Sequence, residues 1–115
     1  MRYNITPIAK PRMTQRDKWQ KRKCVVKYRA FKDQCRILGI RFPTMGASIT
    51  FGLPMPASWS RKKRAVMRGL PHQSKPDLDN LLKGLGDAVY PDNDSMISSI
   101  TVSKVWSEKG YIEVK

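Results

Sequence analysis

The chain has 115 residues, 40% hydrophobic and 28% charged, with 23 Lys and Arg against 9 Asp and Glu for a net charge of +14. That length supports one domain with a modest core, near the size where dimerisation commonly adds stability, and the apolar content excludes an intrinsically disordered chain. A pI near 10.3 directs attention to nucleic acid before membranes or small anions.

No apolar run approaches the ~20 residues that span a bilayer, and the N-terminal Met-Arg-Tyr-Asn-Ile lacks a signal-peptide core. A cytoplasmic protein without a membrane partner is the expectation.

Tyr3 to Pro7 alternates as a short strand, and Lys10-Pro11-Arg12 with Thr14-Gln15-Arg16-Asp17 reads as a basic loop broken by its prolines. From about Arg22, the apolar residues Cys24, Tyr28, Phe31, Cys35 and Leu38 step by 4, 3, 4 and 3 before Gly39, which predicts an amphipathic helix with a glycine stop. The two cysteines would stand roughly 16 Å apart along that helix, beyond disulfide reach. They read as buried small apolar residues rather than a zinc or redox site.

Ala47 to Leu53 predicts a strand ended by Pro54 and Pro56. Beyond the following turn, Arg61, Lys62, Lys63, Arg64 and Arg68 place five basic residues in eight positions beside Trp59. One reading is phosphate neutralisation, with Trp59 stacking on a base; the other is a solvated helix face with Trp59 in the core. His72, the single histidine, has no sequence partner and reads as a loop residue, with a phosphate contact or acid role as the minor alternative. Near the C-terminus, Ile100, Val102, Lys104 and Trp106 alternate with Ser99, Thr101, Ser103 and Val105, and Tyr111 to Val114 follows Glu108-Lys109-Gly110. That pattern predicts two antiparallel strands joined by a tight turn.

Charge is distributed unevenly. Residues 1–76 hold 19 basic and 2 acidic side chains, whereas residues 77–115 hold 4 and 7. Asp77, Asp79, Asp87, Asp92 and Asp94 fall within 18 residues. A polyanion attracted by the positive half is repelled by this knot of carboxylates unless a cation intervenes, and a divalent metal is the natural mediator.

Leu78, Leu81, Leu82, Leu85 and Val89 form one apolar arc of a helix, with Asp77 as candidate N-cap and Asp79, Lys83 and Asp87 at i, i+4 and i+8 beside the arc. Asp77, lying before the helix, can turn its carboxylate toward Asp79, and the chain can bring Asp92-Asn93-Asp94 back beside them. Oxygen ligands of this kind suit magnesium or manganese. Each part also has an ordinary reading, as a cap, an i, i+4 ion pair and a turn. EF-hand, Walker A, CxxC and Ser-His-Asp patterns are absent.

The run Lys75-Pro76-Asp77-Leu78-Asp79-Asn80-Leu81-Leu82-Lys83, then Asp87-Ala88, then Asp94-Ser95-Met96-Ile97, resembles the signature of RusA-like Holliday junction resolvases. The basic Pro11-Arg12 loop is similar as well. The resemblance implies an α+β domain over residues 1–115, a small mixed two-layer structure with a sheet against two main helices, working as a homodimer. It implies metal-dependent cleavage of four-way DNA junctions by paired symmetric nicks, with Mg2+ or substituting Mn2+ and no small-molecule cofactor, in proteins frequently carried by prophages. Ligatable 5′-phosphate and 3′-hydroxyl ends are part of the same expectation. By its motif, Asp77, Asp79 and Asp94 are metal ligands and Lys83 the catalytic lysine; Asp87 takes a supporting role, and Asn93 separates Asp92 from the matching position. Arg12, Arg61, Lys62, Lys63, Arg64, Arg68 and Lys75 are the expected DNA contacts. Two competing classes remain: a non-enzymatic basic nucleic-acid binder, which leaves the acidic half without a task, and a metal-dependent nuclease acting on RNA or flap DNA.

Overall fold

The apolar strand predicted near Ala47 is the centre of the molecule. A computed structural model, which describes residues 1–11 and 23–115, extends it to Met45–Pro54 (β2). Ile49, Phe51 and Leu53 are buried on this strand, and a strand so deeply covered takes partners on both sides. It lies between β3 (Ser99–Ser107) and β4 (Tyr111–Val114) in a four-stranded sheet of order β1-β4-β2-β3, with β1 reduced to Arg2–Tyr3.

This order corrects the expected C-terminal hairpin. β3 runs parallel to β2 from Met45↔Ser99 to Pro54↔Ser107, whereas β4 pairs antiparallel with the other side of β2. Glu108 to Gly110 therefore crosses the end of β2 instead of closing a turn. The physical reason is burial: Ser99, Thr101 and Ser103 are exposed and suit an edge, while the apolar β2 gains most from the middle. The first strand is also shorter than predicted. Beyond Tyr3 the chain leaves the sheet, and Lys10 donates its backbone N–H to Asn80 O at 3.0 Å.

α1 (Lys23–Leu38) and α3 (Leu78–Val89) pack against each other over one face of the sheet, while α2 (Arg61–Met67) stands apart from the core. Val25, Tyr28, Phe31 and Cys35 are the buried residues of α1. The expected stripe had Cys24 in place of Val25; Cys24 is exposed and only Cys35 behaves as a buried apolar residue, its thiol pushed up to about 11 by burial. Gly39 ends the helix at φ 67°, a conformation that favours glycine. On α3, Leu81 and Leu85 are buried with Ala88. Gly84 lets the N-terminal segment cross this helix, since a Cβ there would lie 2.8 Å from Ile8 O.

Candidate active site and nucleic-acid interface

α3 begins as predicted, one residue after Asp77, whose backbone is extended at φ −68° and ψ 141°. Its carboxylate makes no capping hydrogen bond. An exposed acid at a helix start that is not used as a cap is free for another task. Asp79 is exposed in the first turn, 3.8 Å from Lys83 Nζ, with both side chains largely in solvent. The predicted i, i+4 alignment therefore places a carboxylate and an ammonium side by side next to Asp77. Ala9, Lys75, Pro76, Asp77 and Asn80 surround a cavity of about 430 Å³ at this point.

The approach to α3 is held by Lys104, a residue not singled out as functional from the sequence. Its ammonium donates to the carbonyls of Ser74 and of Pro76, the latter at 2.7 Å, which fixes the segment carrying Lys75 to Asp77 against β3. The signal was a charged residue in register with Ile100, Val102 and Trp106 on an otherwise apolar face of β3.

Asp87 lies one helical turn beyond Lys83 and does something different. It accepts hydrogen bonds from Tyr28 Oη at 2.7 Å and pairs with Lys10 Nζ at 2.8 Å. Partial burial works to raise its pKa, but the bonds from Lys10 and Tyr28, with the positive charges of Lys10 and Lys32, outweigh burial and hold it below the usual carboxylate range. Burial, and then the contact with Asp87, raise the Tyr28 hydroxyl well above its ordinary value. Asp87 thus ties α1 and the N-terminal segment to α3.

Asp94 is not brought beside Asp77 and Asp79 within this chain. It opens a short 3₁₀ turn (Asp94–Met96) after α3, where Asn93 N–H bonds Tyr90 O and Ser98 N–H bonds Thr44 O. Those bonds keep it at the far end of the helix, and at ~1.5 Å per residue the ten steps from Asp79 to Val89 amount to roughly 15 Å along the axis. Among the described residues, no three His, Cys, Asp or Glu side chains converge into a group able to hold a metal. The donor chemistry of Asp77 and Asp79 alone still fits a hard cation that keeps several of its waters.

The basic cluster divides into three environments. Ser60 caps α2 by accepting from Lys63 N–H at 3.2 Å. Arg64 bonds Pro56 O at 2.9 Å and Glu108 at 3.1 Å, and Arg68 meets the other oxygen of Glu108 at 2.8 Å. These two arginines share a carboxylate, whose pKa they lower, Arg68 most strongly. Arg61 and Lys62 are exposed and make no ion pair among the described residues. Lys63 Nζ sits 4.2 Å above the Trp59 ring. Trp59 itself is half-buried and leans on Trp106 at 4.7 Å, outside the hydrophobic core.

Lys75 is exposed beside Asp77. Arg12 and the expected loop through Asp17 lie outside the described residues. His72 lies in a loop, as read from the sequence, but its ring is buried, 4.0 Å from the Trp106 ring, and its Nδ1 faces the Ser74 N–H at 3.5 Å. Burial, followed by the nearby Lys104 charge, lowers its pKa.

The family model described as Endodeoxyribonuclease RusA matches residues 3–115. A Bacillus subtilis (strain 168) protein with the printed name Uncharacterized protein YqaN is 42% identical over 69 residues, covering 53% of this chain and 48% of that relative. The match thus spans about half the length of the curated relative. No solved structure matches the chain. With the acidic helix start, its adjoining lysine and the basic α2 all inside the matched range, the chain belongs to the RusA endodeoxyribonuclease family.

Proposed function

We propose that this protein is a structure-selective endodeoxyribonuclease that resolves four-way DNA junctions as a homodimer, using Mg2+ or Mn2+. The observation that carries the reading is the pair of exposed carboxylates Asp77 and Asp79 beside Lys83 at the start of α3, within the family match. A divalent ion bound there supplies Lewis-acid polarisation of the scissile phosphate and a more acidic water. Asp77 and Asp79 would hold that ion. Lys83 places a positive charge where negative charge grows on the phosphate, and Lys75, Arg61 and Lys62 neutralise flanking phosphates.

Asp94 joins this site across a dimer. The outer edge of β3 is covered toward its end, where Gly69, Leu70 and His72 bond the backbone of Trp106 and Lys104. Its first half, Ser99–Ser103, carries no charge in a chain of +14 and has no strand beside it among the described residues. An open edge of this kind is a template for a second strand. Antiparallel pairing of two such halves about a twofold near Thr101 sets the two α3 helices side by side in opposite directions. Asp94 of one subunit then moves toward the start of its partner's α3. A twofold enzyme of this form suits two symmetric nicks in a junction.

Incubating the protein with a synthetic four-way junction and with linear duplex, with and without magnesium, tests the reading. Magnesium-dependent paired nicks in the junction are expected. Equal cutting of both substrates would remove the branch selectivity. Tight binding with no cleavage in magnesium or manganese would instead identify a non-enzymatic DNA-binding protein.

A further inference from the structure

A second cavity, of about 480 Å³, adjoins the one at Asp77, and the two share Ala9, Lys75 and Pro76 in their walls. Its remaining lining is mostly carbon, including Leu53, Pro54 and Pro56, with the His72 and Trp106 rings forming an aromatic wall. The wall is rigid, because Trp106 is packed on both His72 and Trp59. Among the described residues, no acidic side chain lines the space, and Lys75 is the charged group in its wall.

We propose that this cavity receives a nucleobase unstacked at the branch point, next to the phosphate that a divalent ion at Asp77 and Asp79 would engage. The inference rests on the nuclease reading and names how the substrate would be recognised. A phosphate group needs several donors, whereas a neutral ring with polar edges suits carbon walls and one ammonium. The volume lies within the range of about 300–1,000 Å³ typical of sites for small organic groups. Continuity with the Asp77 cavity places the base within a nucleotide or two of the candidate scissile bond. Burial, with the nearby Lys104 charge, lowers the His72 pKa and so favours the uncharged ring beside the base.

The cavity would also select for structure. In continuous duplex, a base must first be unpaired and unstacked, which costs least where the strands already exchange. Duplex DNA therefore fills the Asp77 cavity without filling its neighbour, and a junction fills both.

Junctions carrying 5-iodouracil singly at each position around the crossover, bound to the wild-type protein in calcium and irradiated, test this by mass spectrometry of the crosslinked peptide. A crosslink to Trp106 or His72 from a base adjoining the cleavage site is expected. Crosslinks confined to other residues, or none at any position while the same preparation cuts unmodified junction in magnesium, would overturn the proposal. A second arm modifies only the DNA, so folding is not at issue. Removing that base to leave an abasic site should weaken junction binding by on the order of tenfold to a hundredfold, and unchanged affinity would overturn the cavity's role. A protein that crosslinks at Trp106 but cuts no DNA would keep the base site and remove the nuclease reading.

Discussion

Asp77 and Asp79 are acidic residues with little structural employment among the described residues: one makes no cap bond and the other pairs with Lys83 at the surface. Asp77→Asn or Asp79→Asn should abolish cleavage while preserving or tightening junction binding, because the change loses metal and also removes repulsion of phosphate. Parallel loss of binding and cleavage in a gel-shift and nicking assay would argue that these residues hold DNA or fold instead. Lys83→Ala should leave metal affinity near normal and lower turnover by about 10² to 10⁴, the range for a positioned charge or proton-transfer group; wild-type turnover would remove Lys83 from the chemistry. His72 gives a pH signature. Its folded pKa is lowered from 6.5, so between that lowered value and 6.5 the unfolded chain binds a proton that the folded chain does not. Stability is then complete above about 6.5 and declines as pH falls through that value toward the folded pKa. Urea midpoints at about pH 7.5 and about pH 5.5 should separate more for the wild type than for His72→Gln. Equal separations would assign the dependence to another group.

At the level of elements, α2 joins two kinds of cation that the sequence presents as one cluster. Arg64 and Arg68 are bound to Glu108, whereas Arg61 and Lys62 are exposed. If the exposed pair neutralises phosphates, replacing both by Gln should flatten the slope of log K against log salt by about 0.9 each on duplex arms. The Arg64/Arg68 pair should change the slope less, since its charges already face a carboxylate. Equal slopes in wild type and the Arg61/Lys62 variant would mark α2 as a solvated face. Cleavage at saturating protein should survive both double substitutions.

For the whole molecule, the separation of Asp94 from Asp77 along α3 leads to a complementation experiment. Asp77→Asn and Asp94→Asn subunits, each inactive alone, should recover nicking at one of two sites when mixed and allowed to exchange, because one composite site of the heterodimer is intact. No recovery despite exchange would place Asp94 in the site of its own subunit or outside the site altogether.

The amphipathic helix ended by Gly39, the acidic helix start at Asp77 and the central strand near Ile49 were legible in the sequence, because periodicity, capping and apolar runs act over a few neighbouring residues. That the α1 stripe runs through Val25 and not Cys24 is already a matter of tertiary burial. The insertion of β2 between β3 and β4 is a choice of burial between distant strands, and local alternation reads the same for an edge strand as for half of a hairpin. Glu108 claiming Arg64 and Arg68, Lys104 reaching Ser74 and Pro76, and Asp94 remaining at the far end of α3 likewise join positions 28 to 44 residues apart or hold apart residues the sequence places close together. Such pairings depend on which surfaces meet after the apolar strand is covered, and only the tertiary structure decides that.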